Sequence, residues 1–576
     1  MCRRTADNSR WANLKLAKMA PAQRIVINIR DTAGERESAQ ARRTIAHWLV
    51  ALTVLMVLLG GMFPFDFSSG FGSAISQIHQ RFDLTNNDLW RTRENWEKLI
   101  FYLPLGFALG SLLWAWRGMR VHQMALRCAI AVLCGAALAT TAELSQVFLS
   151  RDPALADVIA KSTGSALGFA LFVLFGEVLL RWPTRLLISL RKINSPRVFG
   201  IAACVWLVIA VAAPIWAART ISSLGSWEPS YPLLVGNETD GIRFWDGTVS
   251  NVWLSAASAS DDELESLLAS PNPGQLLNDS LVMAFHFTGH GPYADASGHT
   301  GELAWTGDFN HGAMPGTTEP SDLTGVAAIG RIGVPISRGW WLRTATGAAA
   351  QASDRIAHTG AFTLVLDLAA GTLDQGDGWP RIFSISRNAD ECNLRLLQDR
   401  ADLQLRIRSG ATGDGGTDPE FIVPGVFGDT LPQRLVVSYD HGQIQVERSE
   451  SGERYSIQYW PDAWLVWQIF PISYWHYRMG SPGQLVAVGM YRIMVMLPIG
   501  MLMGAMLRTL GRTGHSHRSQ RIFIGGVCGA ALVLEMLLHF GAGTPLWVSS
   551  PIVSLLAACT GTLLVLGYLP IRRRLV

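Results

Sequence analysis

The stretch that decides the fold has two parts, WEKLIFYLPLGFALG at residues 96–110 and AELSQVFLSRDPALADVIAKSTGSALG at residues 142–168. Both parts are mainly apolar, and a few ionisable and small side chains interrupt them. A helix needs about 20 mainly apolar residues to cross the hydrocarbon core of a bilayer. With their apolar neighbours, both parts reach that length, so they predict membrane-spanning helices that carry polar groups.

The polar groups of this stretch are expected to meet at one membrane–water boundary. Glu143 and Gln146 lie three residues apart on one helix face, while Asp157 and Lys161 lie four apart in the favourable acid-first order. Ionisable groups at membrane depth are costly and usually face a partner or a cavity. The candidate polar site comprises Glu143, Gln146, Arg151, Asp157 and Lys161. The alternative is a structural ion-pair network that joins the two helices.

Small residues and a proline indicate how these helices pack. Gly106 and Gly110 have the small-xxx-small spacing of close helix contacts in membranes, and packing is their favoured role. Pro104 precedes them and frees backbone groups that neighbours or water must satisfy.

Eight runs along the chain are apolar enough to be spanning helices. They cover roughly residues 46–65, 99–116, 124–148, 155–180, 198–218, 486–507, 522–540 and 551–569. Arginines follow the second, fourth, sixth and eighth runs, and eight spans place all of them on the side of the basic N-terminal tail. Basic loops face the cytoplasm. We therefore expect a multi-pass protein of the bacterial cytoplasmic membrane, with both termini cytoplasmic and residues 220–460 extracytoplasmic.

Residues 220–460 contain no Lys and read as short strands between turns. In Asp402–Ser409, apolar and polar residues alternate, which predicts a half-buried strand. Arg434–Tyr439 and Gln443–Arg448 flank Asp440-His441-Gly442, a hairpin signal. Ser260 and Glu263 form a capping-box pattern that predicts a short helix. The sequence thus predicts an all-β sandwich between two groups of membrane helices.

An aromatic segment follows the sandwich. The apolar run 464–475 is too short to span, and its tryptophans are typical of a membrane interface. We therefore predict that residues 461–483 lie at the interface.

The sandwich resembles the concanavalin A-like or laminin G-like jelly roll. The resemblance rests on Gly236-Asn237-Glu238, Trp245-Asp246-Gly247, Phe362-Thr363 and Arg381-Ile382-Phe383-Ser384. It implies glycan binding, for which Trp340, Trp341 and Trp379 are candidate stacking residues; the alternative is that these tryptophans fill the core or its rim. The paired carboxylates that hydrolytic members use are missing from the sequence, which favours a binding or spacer module.

The membrane stretch resembles the VanZ-like proteins, a family named for a protein linked to teicoplanin resistance. The matching residues are Phe63-Pro64-Phe65-Asp66-Phe67, Pro104-Leu105-Gly106-Phe107, Glu143, Gln146, Phe148, Arg151, Asp157, Gly164 and Gly168. Lys161 departs from the family pattern, which usually has Asn there. The resemblance implies the fold of residues 46–182 and a link to the response to glycopeptide antibiotics.

Part of the stretch recurs near the C-terminus. Leu103-Pro104-Leu105-Gly106 returns as Leu497-Pro498-Ile499-Gly500, and Cys134–Leu138 returns as Cys528–Leu532. Thr163-Gly164 is matched with Thr560-Gly561, and Glu143 with Glu535, but Arg151, Asp157 and Lys161 lack charged counterparts. We predict a degenerate second copy that keeps the packing and lacks the polar site. The predicted order is a basic tail (1–45), four helices (46–182), a fifth span (198–218), the sandwich (220–460), the interfacial segment (461–483) and three helices (484–576).

Three functions stay open on the sequence. The favoured one is an envelope protein that binds a glycan or lipid-linked glycan; the others are a membrane enzyme with Glu143 or Asp157 as base and Arg151 on a phosphate, and a structural or assembly protein. No catalytic motif, metal-binding pattern or cofactor motif is present, which disfavours the enzyme. The net charge of +3 gives no reason to expect a nucleic-acid partner.

Overall fold

The computed structural model describes residues 21–65, 93–114, 121–146, 148, 155–192, 195–307, 333–376, 378–449, 453–470, 475–511 and 516–568. The chain divides into two compact units. The first unit comprises Met1–Phe63 and Ser69–Val198, and the second comprises Pro64–Ser68 and Phe199–Val576.

The first unit is a bundle of four helices. They are α1 (Pro21–Gly61), α2 (Arg93–Trp114), α3 (Val121–Gln146) and α4 (Leu155–Lys192). Glycines let α2 and α4 touch backbone to backbone: a Cβ on Gly106 would overlap the carbonyl oxygen of Ser165, and one on Gly168 would overlap that of Leu103. The predicted packing role of the small residues in α2 is therefore confirmed.

The second unit contains eight α-helices among its described residues. They are α5 (Pro196–Ile221), α6 (Asp261–Ala269), α7 (Pro273–Leu277), α8 (Ala350–Thr359), α9 (Pro461–Trp467), α10 (Gly483–Gly511), α11 (Ser516–Ala542) and α12 (Ser549–Tyr568). Hydrogen bonds tie α5 to α10, because Trp206 Nε1 donates to the Val495 carbonyl at 3.0 Å and the Tyr491 hydroxyl donates to the Ala210 carbonyl.

Eight helices in the described part of the chain are long and apolar enough to cross a membrane. The qualifying segments are Glu37–Gly61, Trp96–Leu113, Met124–Gln146, Leu155–Ser189, Pro196–Ile221, Gly483–Leu510, Gly525–Ala542 and Ser549–Leu566. All eight predicted spans fall on these helices. The predicted combination of a helical membrane bundle and a β-sandwich is therefore confirmed.

Fifteen strands of the described residues form the sandwich. They are β1 (Leu233–Val235), β2 (Gly247–Ser255), β3 (Leu281–His286), β4 (Ala304–Gly307), β5 (Val334–Ile336), β6 (Trp340–Arg343), β7 (Ala361–Ala370), β8 (Arg381–Ser386), β9 (Cys392–Asp399), β10 (Asp402–Ile407), β11 (Glu420–Val423), β12 (Gln433–Asp440), β13 (Gln443–Arg448), β14 (Arg454–Gln458) and β15 (His476–Arg478). One sheet has the order β15-β11-β10-β9-β8-β1-β6-β4. The other has the order β14-β13-β12-β7-β2-β3, and β5 pairs with β2.

Local signals in the sandwich sequence are confirmed. The capping box starts α6, where the Ser260 amide donates to Glu263 Oε2 at 2.8 Å. The β12–β13 hairpin turns at His441 and Gly442, whose φ angles are 45° and 97°. Positive φ at both central residues suits the right-handed twist of the strands. Helix α6 then buries Leu264 and Leu267 in a core cluster with residues of the β12-containing sheet.

The structure corrects the predicted half-buried strand. In β10, Leu403 and Leu405 are buried as expected, but Gln404 and Arg406 are buried too. Arg406 makes two hydrogen bonds to Glu420 on the neighbouring strand, at 2.9 and 3.2 Å. Burial raises the pKa of Glu420, but His476 and Arg406 outweigh it and lower that pKa to about 2. An ion-paired polar face thus replaces the solvated one.

The structure also moves the end of the sandwich. Strand β15 pairs with β11 in parallel, so the sheet continues to Arg478 and the predicted end at residue 460 is wrong. The intervening α9 has seven residues, too few to span a bilayer. Trp467 and Trp475 are buried and pack edge to face at 5.0 Å. These two indoles therefore contact protein, which the interfacial prediction did not foresee.

Candidate functional site

Three helices of the first unit bring four charged side chains together in two pairs. Lys161 of α4 contacts Glu143 of α3, which also accepts a hydrogen bond from Gln146 Nε2 at 3.3 Å. Asp157, one turn before Lys161, instead pairs with Lys98 of α2 at 2.6 Å. The structure thus joins three of the predicted residues directly and adds Lys98 as the partner of the fourth.

The polar cluster, defined as Lys98, Glu143, Gln146, Asp157 and Lys161, is held by helix periodicity. Asp157 and Lys161 are one turn apart on α4, and Glu143 and Gln146 are about one turn apart on α3. The Glu143 side chain is wholly buried, and that of Lys161 is 8% exposed. A buried charge is tolerated when it is paired, so each pair offsets the desolvation of its members.

Sequence reasoning missed Lys98. Its signal was a basic residue at the start of the second span, six residues before Pro104. Tyr102, one helical turn after Lys98, is buried, and the Lys161 ammonium lies 6.0 Å from the centre of its ring. The Tyr102 hydroxyl has no hydrogen-bond partner among the described residues, so it is a donor that a bound polar group could satisfy.

Other predicted site residues have different outcomes. Arg151 lies outside the described residues. Trp340 is buried, with Trp305 at 6.4 Å edge to face, so it is closed to a sugar ring. Trp341 is half-buried beside Gly241. Trp379 is 49% exposed with a φ of 48°, and the Arg243 guanidinium lies 5.6 Å from its ring centre. Of the three tryptophans, Trp379 best fits a stacking role.

Within the described part of the chain, no group of three or more His, Cys, Asp and Glu side chains could hold a metal ion. The polar cluster supplies ammonium, carboxylate and amide groups, and Tyr102 beside it supplies a phenol. These groups can bind an anion or exchange a proton.

The second unit holds another buried charged cluster, which corrects the prediction that the C-terminal half lacks a polar site. Arg492 of α10 contacts Asp462 of α9 and donates to Glu535 of α11 at 3.2 Å. The Ser554 hydroxyl of α12 donates to the same glutamate at 3.2 Å. The prediction was wrong because it rested on sequence counterparts of Arg151, Asp157 and Lys161. One acid of this cluster, Asp462, comes from a segment outside the repeat.

Residues 35–176 match a family model described as VanZ/LLP1. This segment is a VanZ-like membrane domain. It covers about a quarter of the chain and contains all five residues of the polar cluster. No curated protein and no solved structure matches the chain. The jelly-roll resemblance and the second VanZ-like copy therefore stay predictions.

Proposed function

We propose that this VanZ-like protein binds a lipid-linked glycan on the extracytoplasmic side of a bacterial cytoplasmic membrane. The observation that carries the proposal is the polar cluster, which places two lysines and two carboxylates where three long apolar helices meet. Such groups are costly at membrane depth and usually serve a partner or a pathway.

The cluster suits an anionic headgroup that carries hydroxyls. A ligand phosphate can take the place of Asp157 or Glu143 at a lysine and form charge-assisted hydrogen bonds of similar strength. The displaced carboxylate, Gln146 and Tyr102 can then bond to hydroxyl groups. In the sequence Arg151 stands between the two halves of the cluster, and its fork would suit a phosphate.

The sandwich has a candidate glycan contact of its own. Trp379 offers half of its surface, and its unusual backbone conformation is typical of residues held in place for a function. The arginine distribution favours an extracytoplasmic sandwich. A role in the response to glycopeptide antibiotics is what the family resemblance adds to this proposal.

Native mass spectrometry of the protein, gently extracted in detergent, tests the proposal. Wild type is compared with Glu143→Gln/Lys161→Met, and Glu535→Gln is the control because it removes a buried carboxylate from the other cluster. We expect a glycolipid on wild type and on the control, and its loss from the double variant. Protein without bound lipid in all three samples would overturn the proposal.

A structural or assembly role is the second candidate, and the charge balance within the two pairs favours it. A satisfied network can hold helices in register without any ligand. This hypothesis predicts that partner proteins co-purify with the chain and that no glycolipid does.

A further inference from the structure

Glycine contacts define how the C-terminal helices correspond to the N-terminal ones. Gly106 packs on the Ser165 carbonyl in the first unit, and Gly500 packs on the Ala558 carbonyl in the second. Gly168 packs on the Leu103 carbonyl, and Gly561 packs on that of Leu497. Both contacts equate α2 with α10 and α4 with α12, and both give the same register.

This register differs from the one that the sequence predicts. The sequence matches Thr163-Gly164 with Thr560-Gly561, whereas the contacts equate Gly168 with Gly561. For α3 and α11, the buried positions of the two helices coincide when Ala139 is aligned with Ala531 and Glu143 with Glu535. The sequence match of Cys134 with Cys528 therefore differs by two residues from the alignment that burial supports.

In the contact register the two polar clusters have equivalent members. Lys98 corresponds to Arg492, because each lies six residues before the proline of its helix. Lys161 corresponds to Ser554, and each donates to the glutamate of the middle helix. The basic residue, the glutamate and its donor thus recur on three successive helices.

One member differs. Asp157, which pairs with Lys98, corresponds to Ser550, a buried residue in the first turn of α12 with no charge. Asp462 supplies the missing carboxylate to Arg492 from α9, which follows β14 and precedes β15 of the sandwich. Asp462 is wholly buried, and Arg492 is 1% exposed.

We infer that the C-terminal bundle is a second copy of the polar site in which Asp462 fills the place of Asp157 and fastens the sandwich to the membrane helices. In this copy the Asp462 carboxylate occupies the place beside Arg492. Asp462 belongs to the segment that follows β14 of the sandwich. A second contact also joins the sandwich to a membrane helix, because Gln484 of α10 donates to the Gln458 carbonyl at the end of β14. This inference goes beyond the proposed function and does not depend on glycan binding.

A rescue experiment on the full-length protein tests the inference. Asp462→Asn should lower the Tm by about 5 °C or more, since it breaks a buried pair. Adding Ser550→Asp should restore most of that loss, because the new carboxylate would stand where Asp157 stands beside Lys98. Ser550→Asp in the wild type is expected to lower the Tm, because a third buried carboxylate would then compete with Asp462 and Glu535 for Arg492. Asp261→Asn, at a residue whose side chain is 66% exposed, is the control for losing a surface pair.

Hydrogen exchange separates the two parts of the inference. Amides of α9 should exchange faster in Asp462→Asn and stay fast in the rescued variant, because the carboxylate introduced by Ser550→Asp would satisfy Arg492 without holding α9. If Asp462→Asn gives little folded protein, the double variant should restore the yield. A double variant no better than Asp462→Asn would overturn the equivalence, and unchanged α9 exchange would overturn the anchoring role.

Discussion

Replacing Lys161 by methionine tests whether the polar cluster contributes to stability as a buried pair. Methionine keeps much of the apolar volume and removes the ammonium, so the wholly buried Glu143 loses its ion pair with Lys161. Breaking a buried pair by removing one partner costs about 3–5 kcal/mol. At that cost the population of unfolded protein rises by roughly two to four orders of magnitude.

The assay is equilibrium unfolding of the full-length protein in mild micelles, with helix content followed by circular dichroism. A matched control is Arg387→Gln, which breaks the exposed pair with Glu391, whose side chains are 69% and 38% exposed. Such exposed pairs contribute about 0–1 kcal/mol. The double variant Lys161→Met/Glu143→Leu should recover most of the loss, because neither member of this pair is then buried without the other.

A loss of less than about 1 kcal/mol for Lys161→Met, close to that of the exposed control, would refute this reasoning. It would mean that water or other groups already offset the cost of burying the Glu143 carboxylate. A double variant as unstable as the single one would show that lost packing causes the effect, with no contribution from the charge.

Three further predictions follow from single contacts. Gly168→Ala should destabilise the VanZ-like bundle by about 2 kcal/mol, because its Cβ would overlap the Leu103 carbonyl, while Gly529→Ala, which meets no described atom within 4 Å, should be neutral or stabilising in thermal unfolding. Trp379→Ala should leave the Tm unchanged and weaken binding of envelope oligosaccharides, as measured by calorimetry. Because the folded pKa of Glu420 is about 2 and its ordinary value is 4.5, its stabilisation is complete above pH 4.5 and is lost as the pH falls towards 2. Urea unfolding of the sandwich should show a loss of up to about 3 kcal/mol over that window, and Glu420→Gln should flatten it.

Much of the membrane architecture could be predicted from the sequence because it depends on local patterns. Span length and arginine placement predict eight helices, and the spacing of Gly106 and Gly110 predicts the close packing of α2. In the sandwich, the capping box at Ser260 and the turn at His441 were also local signals. Each of these depends on residues within a few positions of one another.

The partners in the two clusters could not be predicted because they depend on tertiary contacts. Asp157 and Lys161 have the spacing of a helical pair, yet each pairs with another helix, at Lys98 and Glu143. Asp462 reaches Arg492 across 30 residues that include a strand of the sandwich. Periodicity shows which side chains share a face, and it contains no information on what faces them.

The same limit explains the burial of β10. Alternation places Gln404 and Arg406 on a polar face, and such a face is predicted to contact solvent. The bidentate contact with Glu420 on β11 shows that a polar face can be satisfied by its neighbours.

The most direct test of the central claim is the affinity of the protein in lipid nanodiscs for a polyprenyl-phosphate-linked glycan, measured for wild type and for Glu143→Lys/Lys161→Glu. The swapped pair keeps the ion pair and the charge balance, so a structural network tolerates it. We predict an unchanged Tm and at least about a tenfold loss of affinity, which equals about 1.4 kcal/mol. Equal affinity in both proteins, or none in either, would contradict a ligand site at the polar cluster.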